Sequence, residues 1–332
     1  MTPTESIESS GALMTPEAGA PRRPSALLLV ASFAFILLAW AVNYPAGKIA
    51  LQHMDPVTLA SLRIELAAIL MLAIHFSRPR RVRFDKRDFW TFALLAFLGV
   101  VLNQGFYTAG LKYTTSERSV LVIALGPIMI LLFARALKLE AFTTAKIAGM
   151  AFAFIGVLLL ETERKVVGQT SAMVGDAITL ISVVGFAIYS VLGKRLLDVS
   201  RRAKYDAISF NTFITVAAAV MLLPVAARQG IVLDWRAVGW AGWGGMIYMA
   251  VGSSVLAYTL FYWLLKYVDA SRVATINYMQ PFVVILLSVA FLGERPTARL
   301  ILGGALVLIG VYFVERVSLG GAKLKKIEGP EA

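Results

Sequence analysis

Cysteine is missing from all 332 residues, so neither a disulfide framework nor a thiolate metal site is open to this chain. Histidine is nearly missing too. His53 and His75 stand at opposite ends of one predicted helix and cannot share an ion, so no metal site is predicted. Charge is scarce at 16%, and acids are scarcer than bases, 20 against 32. No nucleophile-and-base set, phosphate-binding glycine loop or zinc signature occurs. The chain therefore reads as a non-enzyme without a cofactor, and an ATP-driven mechanism would need another subunit.

What is present is apolar. At 58% hydrophobic, the composition is that of a polytopic membrane protein. The net charge of +12 sits in short loops between apolar runs, where it fits orientation in a bilayer better than binding of nucleic acid. The predicted partners are thus the lipid bilayer and a small-molecule substrate, with no nucleic acid and no obligate protein partner. Residues 1–24 are predicted to be a disordered cytoplasmic tail and 317–332 a basic cytoplasmic tail. Ten spans are predicted between them: 26–47, 57–76, 89–110, 117–137, 143–161, 172–193, 207–226, 237–262, 270–291 and 298–314. Most approach the roughly 20 residues that cross about 30 Å of hydrocarbon.

The chain also repeats itself. Leu111–Glu161 and Leu265–Glu315 align without a gap at a shift of 154, with 16 of 51 positions identical. The matches include Arg118/Arg272, Pro127/Pro281, Glu140/Glu294, Gly156/Gly310 and Glu161/Glu315. Earlier, Gly47/Gly193 and Lys48/Lys194 match at a shift of 146, leaving eight extra residues between spans 6 and 8. Spans 1–5 (residues 25–165) and 6–10 (170–316) are therefore two copies of one unit. Five crossings per copy turn the second upside down, an inverted-topology repeat of the kind found in secondary transporters. With the N-terminus inside, 22 Lys and Arg fall on the cytoplasmic side and nine outside. That asymmetry places both termini in the cytoplasm of a cell membrane, the inner one in a bacterium.

Polar and aromatic residues cluster at similar depth in several spans, where an amide facing lipid is costly. They are Trp40, Asn43 and Tyr44 in span 1, Asn103, Gln104 and Tyr107 in span 3, Tyr189 in span 6, Tyr248, Ser254 and Tyr258 in span 8, and Asn277, Tyr278 and Gln280 in span 9. These are the candidate substrate-binding residues, with interhelical hydrogen bonding the plainer role for any one of them. Pro127 and Pro281 are candidate helix breaks that would free the carbonyls of Ile123 and Asn277. Arg63 is an intramembrane charge and a functional candidate on that ground, while Asp176 is predicted to open span 6 as an N-terminal carboxylate. No acid stands mid-membrane in spans 1, 3, 4, 6, 8 or 9, so a carboxylate proton relay is not evident.

Trp40 with Lys48, Pro56 with Arg63, Gly175-Asp176, and the pairs Pro127/Glu140 and Pro281/Glu294 together resemble the EamA-type family of the drug/metabolite transporter superfamily. The resemblance covers about residues 26–316. It implies ten transmembrane helices as two inverted five-helix repeats around a central cavity lined by spans 1, 3, 4, 6, 8 and 9. It also implies export of small organic metabolites by alternating access, amino acids among them. The aromatic residues at cavity depth favour aromatic solutes. The alternative is a membrane-embedded enzyme or lipid-handling protein, which the lack of a surface cluster of reactive residues disfavours.

Overall fold

The structure, a computed structural model, describes residues 24–79, 81–114, 119, 122–139, 143–161, 169–197 and 204–283, with isolated residues between 298 and 313. Residues 1–23, the basic C-terminal tail, Arg118, Glu140, Glu294, the last eight residues of span 9 and seven of the seventeen positions of span 10 lie outside the described residues. What is described is helical, and six helices are long and apolar enough to cross a membrane.

α1 (Ala26–Ala50) and α2 (Pro56–Ser77) form the first hairpin. The third rod is composite. A 3-10 turn (Lys86–Asp88) leads into α3 (Phe89–Ala96), a π-helical segment (Phe97–Gly105) and α4 (Phe106–Tyr113). Then come α5 (Gly126–Ala136) and α6 (Thr144–Glu161). α7 (Gln169–Leu197) and α8 (Ala207–Val232) follow. The next rod repeats the composite build as α9 (Gly239–Tyr248), a second π-helical segment (Met249–Ala257) and α10 (Tyr258–Tyr267). α11 (Ala270–Val273) is one turn long. The two π-helical segments thus fall in corresponding rods of the two copies, near the middle of each.

Helix starts follow from capping. Asp55 accepts from the backbone N–H of Val57 (2.9 Å) and Thr58 (3.0 Å), and Pro56 stands in the first turn, where a missing donor costs nothing. Asp206 does the same for α8, accepting from the N–H of Ile208 (3.0 Å) and Ser209 (3.1 Å). Asp206 also takes a salt bridge from Arg78 at 2.8 Å, which ties the end of α2 to the start of α8. Beside it, Lys204 bridges Asp85 and Asp88, and the Tyr205 hydroxyl donates to Asp88.

Helix ends are satisfied by lysine. The Lys48 ammonium on α1 donates to the carbonyls of Leu111 (2.6 Å) and Thr114 (2.7 Å), at the C-terminus of α4. The Lys194 ammonium on α7 donates to the carbonyl of Leu265 (2.8 Å), in the last turn of α10. Terminal carbonyls have no intrahelical donor, and a cation there meets the negative end of the helix dipole. Lys48/Lys194 and Leu111/Leu265 are the same repeat-related pairs that the sequence aligns. The Asp55 and Asp206 caps add a third fixed point, at a shift of 151 between those of 146 and 154. Five of the eight extra residues therefore lie before Asp206 and three after it.

α2 packs along α8, α4 along α7, and α1 along α9 with its π-helical extension. The α4–α7 approach is close because both sides are glycine. A Cβ on Gly175 would stand 2.7 Å from the Thr114 nitrogen and 2.9 Å from the Gly110 oxygen. An aromatic cluster fills the opposite end, with the Phe92 ring 5.0 Å from Tyr205 and 5.4 Å from Phe210.

Two expectations need correction. α7 begins at Gln169, so Asp176 lies two turns inside it, where the Thr114 hydroxyl donates to its carboxylate at 2.8 Å. The breaks near the prolines also fall elsewhere. The first is a turn at Ala124–Leu125, so Pro127 stands in the opening turn of α5 and costs no hydrogen bond. The second is a turn at Ala274–Thr275, and Pro281 lies inside the helical stretch 276–283.

Candidate functional site

Where the helices converge they leave a cavity with about 80 Å³ open to the centre of a water molecule. A single buried water needs about 10–15 Å³ by that measure, so the space suits several waters or a compact solute. Its walls come from both copies: α1, α2, the third rod, the start of α5, α7, the composite rod α9–α10, and the stretch 276–283.

α1 contributes Trp40, Asn43 and Tyr44, which share one face at i, i+3 and i+4. The third rod contributes Asn103, Gln104 and Tyr107 from its π-helical segment and the turn after it. Tyr258 enters from the first residue of α10, and Asn277 and Gln280 from the stretch beyond the turn at Ala274–Thr275. Arg63 enters from α2, a helix the family resemblance does not place at the cavity.

These groups bond mainly to each other. The Tyr44 hydroxyl donates to Gln280 Oε1 at 3.0 Å, and Gln280 Nε2 donates to Asn277 Oδ1 at 3.1 Å. The Tyr258 hydroxyl donates to Asn103 Oδ1 at 3.0 Å, whose Nδ2 donates to the Ser182 carbonyl at 3.0 Å. Asn43 Nδ2 donates to the Tyr107 hydroxyl at 3.4 Å. Arg63, only 2% exposed, donates through Nη2 to Gln104 Oε1 (2.5 Å) and Ser254 Oγ (3.2 Å). Rings complete the lining. Trp40 lies 5.4 Å from Tyr258 and 6.1 Å from Phe186, and Tyr44 meets Tyr107 edge-on at 5.7 Å.

Four of the sequence-selected residues do not border the cavity. Tyr189 is fully buried against Tyr262 and Phe186. Tyr278 is fully buried too, about 100° around the helix from Asn277. Tyr248 is half-buried and its hydroxyl donates to the Ala39 carbonyl at 3.0 Å. Ser254 stands behind the wall, where its contacts to Arg63 and Gln104 hold those two in place. Pro127 and Pro281 are buried and do not border this cavity. Conversely, Ser253, in the polar cluster of span 8, borders the space, as do Ile123, Gly126, Ser182, Val183 and Phe186, which are not among the candidate substrate-binding residues. Gly126 has a steric reason: a Cβ there would stand 3.1 Å from Asn277 Nδ2.

Among the described residues, no group of three metal-ligating side chains comes together.

Residues 25–162 and 173–316 each match the EamA-like transporter family. A protein of Archaeoglobus fulgidus named "Uncharacterized transporter" is 27% identical over 284 residues, which covers 84% of this chain and 94% of that one. One from Salmonella typhimurium named "Probable amino-acid metabolite efflux pump" is 25% identical over 288 residues, covering 83% and 91%. A solved crystal structure superposes with a TM-score of 0.70 at 20% identity, covering 91% of this chain and all of the other. That likeness is one of fold.

Proposed function

The chain belongs to the EamA-like transporter family, and from that membership we propose that it exports small organic metabolites by alternating access, amino acids first among them and aromatic ones favoured. In this reading the ten predicted spans form two inverted five-helix repeats in a cell membrane, with both termini in the cytoplasm. Solute binds in the cavity where the two copies meet.

The observation that carries the reading is the cavity itself. It is walled by Trp40, Tyr107, Phe186 and Tyr258 and edged by the amides of Asn43, Asn103, Gln104, Asn277 and Gln280. An apolar box with a few convergent polar groups is the common build of a small-molecule site. Ring walls suit flat or apolar side chains, and the amides suit a polar head. The amino-acid assignment draws on the name of the Salmonella relative as well as on this lining.

The test is counterflow in proteoliposomes loaded with an amino-acid and metabolite panel. Flux of some members, lost in Asn277→Ala and Gln280→Ala but kept in Gly310→Ala per unit of inserted protein, is the expected result. No flux for any solute overturns the export reading, and equal residual flux in all three variants overturns the placement of the site.

A further inference from the structure

The buried cation of the cavity is unbalanced. Arg63 has five N–H donors, and only the two on Nη2 are engaged, by Gln104 and Ser254. Its Nε and Nη1 are buried and have no partner among the described residues. Among the described residues, no Asp or Glu borders the cavity and Arg63 forms no ion pair.

The neighbouring amides share that bias. Arg63 obliges Gln104 to turn its oxygen toward the guanidinium, so the Gln104 nitrogen is left as a donor without an acceptor. Asn277 spends its oxygen on Gln280, so its nitrogen is left in the same way. Against these, among the described residues, stands one unpaired amide oxygen, Asn43 Oδ1. The wall is thus rich in unused donors and holds one uncompensated positive charge. An interhelical tie alone would use Nη2 and explains neither the idle nitrogens nor the missing counter-ion. A charge taken out of water without a partner is costly, so the arrangement is complementary to an acceptor-only group that brings one negative charge.

We propose that Arg63 anchors the carboxylate of the transported solute, so that the cavity selects compounds bearing a single carboxylate, with Asn43 Oδ1 left to accept from an ammonium where the solute has one. The proposal deepens the export reading and rests on it for the word transported, but it makes a claim about binding that can be tested alone. A carboxylate can accept from Arg63 and from the amide nitrogens of Gln104 and Asn277 together. A single negative charge neutralises the site, whereas a phosphate dianion would leave an excess.

The experiment is equilibrium binding to the full chain in nanodiscs. The ligands are the common amino acids and short monocarboxylic acids, each beside its methyl ester, with phenyl phosphate as the dianion arm. Some acids should bind at least about tenfold more tightly than their esters, the size of one charge-assisted hydrogen bond. Gln104→Glu places a carboxylate against Arg63 with little change of shape, so it should fold normally and abolish the acid-over-ester preference. Arg63→Gln should do the same where it folds. The proposal is overturned if no acid binds, if esters bind as well as acids, if phenyl phosphate binds most tightly, or if the preference survives in Gln104→Glu. Acid-selective binding without flux would sink the export reading and keep this one. Flux indifferent to the carboxylate would do the reverse.

Discussion

Replacing Lys48 with methionine keeps the aliphatic stem and removes the ammonium that closes the end of α4. Two hydrogen bonds of 2.6 and 2.7 Å are lost, to the carbonyls of Leu111 and Thr114. Hydrogen bonds to a charged group contribute about 1.5–3 kcal/mol each, and the cation's attraction to a helix C-terminus adds about 0.3–1 kcal/mol. The lysine also gives up part of its hydration on folding, which offsets some of that gain. The net cost of Lys48→Met should be about 2–4 kcal/mol by these measures. Lys194→Met, which loses the 2.8 Å bond to Leu265, should cost about 1–3 kcal/mol. The two lysines tie different pairs of helices, so the double variant should be nearly additive. Lys112, exposed and at the same helix end, is the control, and Lys112→Met should stay within about 0.5 kcal/mol. Reversible unfolding in mixed detergent micelles measures all four. If Lys48→Met and Lys194→Met both match the control, the lysines do not hold these termini and the structural equivalence of the two copies loses its best support.

Gly175→Ala should destabilise by about 1–3 kcal/mol, because its new Cβ meets backbone of α4 on both sides, at Thr114 and Gly110. Gly244→Ala, with nothing within 4 Å, should be neutral or stabilising in the same unfolding assay. Burial pushes the Asp206 carboxyl up, but the bonds from Arg78 and Ser209 outweigh it and hold it below its usual range. A depressed carboxyl contributes stability above its unfolded value, near 3.9, and that contribution disappears as pH falls through the folded value. Arg78→Ala should therefore lose about 1 kcal/mol near neutrality, with the difference from the parent shrinking toward pH 3. The absence of cysteine makes topology directly readable. An impermeant maleimide applied outside intact cells should label Gly230→Cys and spare Arg83→Cys, and the opposite pattern refutes both termini being cytoplasmic.

The repeat was legible because proline, glycine, arginine and glutamate seldom recur at a fixed spacing by chance in so apolar a chain. The positions of the six long apolar helices were legible for the same reason that membranes constrain them: length and hydropathy leave few choices. The helix faces were not. A membrane helix is apolar all round, so nothing in α2 says which way Arg63 points, and nothing in α7 favours Phe186 over Tyr189 three residues on. Both side chains are aromatic, yet only Phe186 reaches the cavity while Tyr189 packs on Tyr262. The π-helical segments were illegible too, since Phe97–Gly105 and Met249–Ala257 have compositions that an α-helix would tolerate. Asp176 was misplaced because the Gly175–Asp176 pair resembles a start signal, whereas Gly175 is needed for the close approach of α4.

The lysine ties have a consequence for motion. Pulling α1 away from the foot of α4, or α7 from that of α10, would strand bare carbonyls where little water can reach them. Under the alternating-access reading, each such pair would therefore travel as one stiff beam. Any gate would then have to open along seams other than these two.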